Sequence, residues 1–229
     1  MPKFILVPGA CHGGWWYDPL VDALAAAGHE ARAVTLAGLD PEPKLDQLIT
    51  LQTHVDQVGQ VVAEFAADQG AAGVVLVGHS YAGSIITAVA DQAPTAVRAL
   101  VYLDAFIPRD GDSCWTMTND EQRRWYIDGS ARTGYGVDPL PFFDERARPH
   151  PLATLVQACA LTGAWQQVPV KVHVEAMAWP GESPMAGAAE RARADATFLT
   201  HQWQTRHNVL ASGPGPVLDL LTSLQLPDV

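Results

Sequence analysis

The chain of 229 residues is poor in cysteine, in positive charge and in long apolar runs, and each shortage excludes something. Its three cysteines, Cys11, Cys114 and Cys159, are an odd number without metal-like spacing. A disulfide framework needs paired cysteines in an oxidising compartment, so reduced thiols in a cytoplasmic protein are expected. Lys and Arg total 14 against 25 Asp and Glu, a formal net charge of −11. Phosphate backbones and anionic bilayers are bound by clustered basic side chains, so neither nucleic acid nor a membrane is an expected partner. No apolar run approaches the roughly 20 residues that span a bilayer. The opening MPKFILVPG holds too short an apolar stretch for a secretory leader and reads as a first strand.

What is present is an ordinary globular composition, 48% hydrophobic and 17% charged, in a length that suits one domain with a sizeable core. Strand-like apolar runs fall at 3–7, 30–36, 74–78, 97–106, 170–177 and 196–203. Helical spacing falls between them, at 16–27, at 51–68 with a stop at Gly70, at 81–92, and in a closing helix within GPVLDLLTSLQL. Continuous apolar strands alternating with helices predict an α/β fold, a mostly parallel sheet with helices on both faces. Residues 108–168 break this rhythm. They are rich in Trp, Arg, Asp and Pro and read as an insertion between two sheet strands.

The stretch VVLVGHSYAG, Val74 to Gly83, carries the chemistry. A serine squeezed between a strand and a helix needs small neighbours, because its backbone is forced into a strained turn. Gly78 and Ala82 are small at the two flanking positions. Such a turn lifts the Ser80 hydroxyl off the sheet edge and sets the Tyr81 N–H at a helix N-terminus, where developing negative charge is stabilised. A serine hydroxyl needs a base at neutral pH. His207 lies past the last strand and before the final helix and is the expected base; His201 and His173 sit inside strands and read as structural. A third group must orient the imidazole. Asp104, at the C-terminal end of the strand ALVYLDAF, is favoured, because ligands gather at such ends and a carboxylate there is costly unless paired. Glu182 and then Glu175 are the alternatives. The second oxyanion donor is expected from the loop VPGACHGGWW, where Pro8 has no N–H and Ala10 is favoured over Gly9. His12, His79, Trp115, Trp125, Tyr126, Phe142 and Phe143 are candidates for lining a substrate pocket.

These residues resemble the α/β-hydrolase superfamily. The segment from FILVPGACHGGWW to Leu39, with VGHSYAG and ALVYLDAFIP, is similar to the branch of plant methyl esterases, hydroxynitrile lyases and small bacterial serine hydrolases. The resemblance implies an α/β-hydrolase fold, an insertion acting as a cap, a Ser-His-acid triad and no cofactor. Pro8 stands where the branch commonly has His, and the acid is missing from its commonest place. The expected activity is hydrolysis of a small or medium, largely apolar ester or lactone through an acyl-enzyme, by the chain alone or as a homodimer. A lyase or cyclase using the same Ser and His, or a non-catalytic binding protein, are the alternatives on this fold.

Overall fold

The computed structural model describes residues 2–42, 48–67 and 73–227. β1 (Lys3–Val7) leads through a 3-10 turn (Gly14–Tyr17) into α1 (Asp18–Ala26). Then come β2 (Ala31–Ala33), α2 (Leu51–Ala66), β3 (Val74–His79), α3 (Ala82–Gln92) and β4 (Val97–Leu103). The irregular segment that follows holds α4 (Cys114–Met117), α5 (Asp120–Ser130), the short antiparallel pair β5 (Gly136–Val137) and β6 (His150–Pro151), and α6 (Leu152–Val156). Next are β7 (Val170–Ala176), α7 (Ala186–Ala194), β8 (Phe198–Trp203) and α8 (Gly215–Thr222).

Six strands form one all-parallel sheet in the order β2-β1-β3-β4-β7-β8. Alternate residues of the central strands feed opposite layers. Ile5, Val7, Leu76 and Leu100 pack with Val55, Val58, Ile85 and Val89 of α2 and α3. Phe4, Leu6, Val75, Val77 and Val101 pack with Leu20, Leu24, Val217 and Leu221 of α1 and α8. Burial on both faces is why these strands read as continuous apolar runs rather than alternating ones.

Several boundaries differ from the sequence expectation, and for three of them a local reason is visible. β2 ends at Ala33, not Leu36, because side chains replace its ladder: Gly14 N–H donates to Thr35 Oγ1 and Gln57 Nε2–H to the Thr35 carbonyl. α1 begins at Asp18 rather than Trp16, set by Pro19 in its first turn. β4 stops at Leu103 because Asp104 turns into the left-handed region, φ 44°. Asp68 and Gly70, the expected end of α2 and its stop, lie outside the described residues.

The strand order decides where the site sits. The chain leaves β1 toward the edge strand β2 and returns to β3 on its other side, so the loops after β1 and β3 part at their C-terminal ends and leave a crevice. A Cβ placed on Gly9 would come within 2.8 Å of His79 Nδ1 and 3.0 Å of Ser80 Cβ, so glycine allows the two loops to touch.

Candidate active site

Only three non-glycine residues among those described have positive φ: Cys11 (68°), Ser80 (55°) and Asp104 (44°). All three follow strand ends around the crevice. Such conformations cost on the order of 1–3 kcal/mol and persist where the surroundings enforce them. At Ser80 the enforcement is visible. Its carbonyl accepts from Gly83 N–H and Phe106 N–H, both at 3.1 Å, and its own N–H donates to Leu103. Gly78 is required because a Cβ there would press on the Ala82 carbonyl at 3.0 Å. Gly83 is required more strictly, since a Cβ would run into the Phe106 carbonyl oxygen.

Asp104 is fully buried and accepts three hydrogen bonds. Ala176 N–H reaches Oδ1 at 3.2 Å, Trp179 Nε1–H reaches Oδ2 at 2.9 Å, and His207 Nδ1 lies 2.7 Å from Oδ2. With its Nδ1–H directed at the carboxylate, the His207 imidazole presents Nε2 as the free lone pair. The ring is held between His79 and Trp179, at centroid distances of 4.4 and 4.8 Å. His79 Nε2–H donates to the His207 carbonyl at 2.9 Å, and its other face stacks on Trp16 at 4.5 Å. Burial pushes the His79 imidazole well below its usual range, so it stays neutral. Ser80 Oγ has no hydrogen-bond partner among the described residues, and Ser80 and His207 line the same cavity.

The other acid candidates are engaged elsewhere or apart from the imidazole. Glu175 pairs with Arg193 at 2.5 Å and accepts from Gln202. Glu182 lines the cavity, and its carbonyl accepts from Asn119. Burial pushes the Cys11, Cys114 and Cys159 thiols up to about 12, which leaves no thiolate nucleophile among them near neutral pH.

The loop after β1 makes a tight turn in which His12 N–H meets the Gly9 carbonyl at 3.3 Å. Among the described residues, neither Ala10 N–H nor Tyr81 N–H has a protein acceptor, and both residues line the cavity. His12 Nδ1–H donates to the Ala10 carbonyl at 2.7 Å, and its ring packs on Phe143 at 4.8 Å.

The cavity holds about 800 Å³, inside the range of small-molecule sites. Trp125, Tyr126, Phe142 and Phe143 line it as expected, together with His12 and His79. Trp115 does not. Its indole packs against the core, its carbonyl accepts from Arg123 Nε–H, and the guanidinium lies 5.9 Å from its ring.

A model of the alpha/beta hydrolase family matches residues 4–220. The chain belongs to the α/β-hydrolase family. A carbendazim-hydrolysing esterase of Nocardioides sp. is 31% identical over 98% of this chain and 100% of its own length. Salicylic acid-binding protein 2 of Nicotiana tabacum is 37% identical, over 46% of this chain and 40% of its own. An extracellular α/β-hydrolase from a Paenibacillus species superposes with a TM-score of 0.79 at 20% identity, over 97% of this chain and 98% of that one. The chain is an ester-hydrolysing enzyme of the serine hydrolase type, and it acts on small molecules. No helix among the described residues is long and apolar enough to cross a membrane.

Among the residues of this hydrolase's cavity that sequence reasoning missed are three tryptophans, Trp15, Trp16 and Trp179. Trp179 carried a usable cue: it follows β7, where the family acid was sought, and it brings an N–H to Asp104 rather than a carboxylate to His207. Trp15 and Trp16 follow the glycine pair of the first loop, but nothing in their spacing separates a cavity wall from core.

Proposed function

We propose that Ser80 is the nucleophile, His207 the general base and acid, Asp104 the orienting carboxylate, and the Ala10 and Tyr81 N–H groups the oxyanion hole. The observation that carries this reading is the 2.7 Å contact of His207 Nδ1 with buried Asp104, beside a serine held at positive φ. Ser80 Oγ attacks the carbonyl carbon and its proton passes to His207 Nε2. The carbonyl oxygen becomes negative and is met by two N–H groups that otherwise have no acceptor. His207 then protonates the leaving alcohol, and water attacks the acyl-enzyme by the same route in reverse. The segment 108–168 acts as the cap, since it supplies Trp125, Tyr126, Phe142 and Phe143 to the cavity wall.

The substrate class is a small to medium, largely apolar ester or lactone that carries a flat ring. Aromatic walls suit a flat ring, and the relative similar over the full chain is named a carbendazim-hydrolysing esterase. The three free, buried cysteines support a reducing, cytoplasmic setting.

Intact mass after exposure to a fluorophosphonate, with turnover of p-nitrophenyl esters, tests the reading on wild type and Ser80→Ala. A single adduct that requires Ser80, with turnover lost in the variant, is the expected result. Turnover that survives in Ser80→Ala would overturn it.

A further inference from the structure

We propose that His150, a buried residue of the cap segment, is a positioning residue for the oxyanion hole, holding the Gly9–His12 turn through Cys11. The inference rests on the oxyanion reading above. Within that turn Cys11 occupies the position after Ala10 and has φ 68°. A four-residue turn with positive φ at its third residue is normally built with glycine there, because a side chain strains the left-handed region. Cysteine at this place needs an external hold, and the cap segment supplies one. Cys11 N–H donates to His150 Nδ1 at 3.2 Å, and Arg148 N–H donates to the Cys11 carbonyl at 2.9 Å. Cys11 Sγ also lies 3.8 Å from the Val137 carbonyl.

The His150 tautomer follows from its other nitrogen. Thr154 Oγ1 donates to the Pro151 carbonyl at 2.7 Å, so toward His150 Nε2, 2.9 Å away, it is an acceptor. The proton therefore sits on Nε2 and Nδ1 is left to accept from Cys11. His150 is fully buried, beside the rings of Tyr81 and His54, and does not line the cavity. Its influence on a reacting carbonyl passes through the Cys11 peptide to the adjoining Ala10 N–H. An oxyanion donor displaced by a fraction of an ångström acts on the transition state and not on substrate binding.

Two polar replacements separate the two nitrogens. His150→Asn keeps an acceptor near the Nδ1 position, facing Cys11. His150→Gln keeps a polar group near Nε2, facing Thr154. We expect His150→Asn to retain kcat within about threefold and His150→Gln to lose at least about tenfold, with KM within about twofold in both. Inhibition by an aryl trifluoromethyl ketone, whose adduct places an oxyanion in the hole, should weaken in parallel with kcat. Adding Cys11→Gly to His150→Gln removes the demand for a hold on the turn and should restore most of the lost kcat. Equal kcat in Asn and Gln variants, or a Gln variant that the glycine does not rescue, overturns the role of His150 while leaving the site reading intact. Turnover that persists in Ser80→Ala overturns the site reading and this inference with it.

Discussion

Three donors meet the buried Asp104 carboxylate. The last residue of β7 and the loop after it supply two of them, Ala176 N–H and Trp179 Nε1–H, and His207 is the third. Asp104→Asn should lower kcat by about 10³-fold with little change in KM, because the amide no longer favours the Nδ1–H tautomer of His207. Glu182→Gln should stay within about threefold of wild type; a larger loss than in Asp104→Asn would assign the acid to Glu182. Trp179→Phe keeps the ring beside His207 but removes its N–H, a loss worth about 1 kcal/mol, or about fivefold in kcat. Steady-state kinetics on one p-nitrophenyl ester checks all three. Ser80, His207 and Asp104 were legible in the sequence as candidates, because each follows a sheet strand and has a chemical reason to be there. Trp179 was not, because a tryptophan in a Pro-Gly loop looks the same whether it packs or donates.

Among the elements, α2 and β7 each carry a histidine buried from solvent and neutral in the fold. His54 Nε2–H donates to the Ala37 carbonyl at 2.9 Å and its Nδ1 accepts from the Tyr81 hydroxyl at 2.8 Å, tying α2 to the turn that leads into α3. His173 lies in β7, between β4 and β8, and is 1% exposed. Burial pushes both imidazoles down to about 4 from an ordinary value of 6.5. Between these values the unfolded chain binds more protons than the folded one. Their contribution to stability is therefore whole above about pH 6.5 and is lost as the pH falls toward 4, with a slope of up to about 1.4 kcal/mol per pH unit for each histidine. Urea unfolding at pH 7.5, 6 and 5 should show the decline, and His54→Gln should flatten it. Long apolar runs made β1, β3, β4 and β7 plain in sequence. The extent of β2 was not, because its ladder gives way to bonds from Thr35 and Gln57 that no local pattern announces.

For the whole molecule, the cavity is walled on one side by loops at the sheet's C-terminal edge and on the other by the segment 108–168. Phe142 is 80% exposed yet lines the cavity, so it stands at the mouth. Phe142→Ala should raise KM for aryl esters about threefold to tenfold and leave kcat and the thermal midpoint nearly unchanged, since an exposed ring contributes binding area but little core. Kinetics with aryl and short aliphatic esters in parallel checks this; the aliphatic KM should move less.

The sequence by itself determined the alternation of buried strands and helices, the serine turn after β3 and the histidine after β8, because periodicity, small residues and strand ends are local properties. Tertiary structure alone decided which acid meets His207, that Trp115 packs into the core while Trp15, Trp16 and Trp179 face the cavity, and that His150 reaches Cys11 across 139 positions of chain. Those contacts depend on strand order and on the path of an irregular segment. They join residues far apart along the chain, and no periodic pattern encodes the meeting.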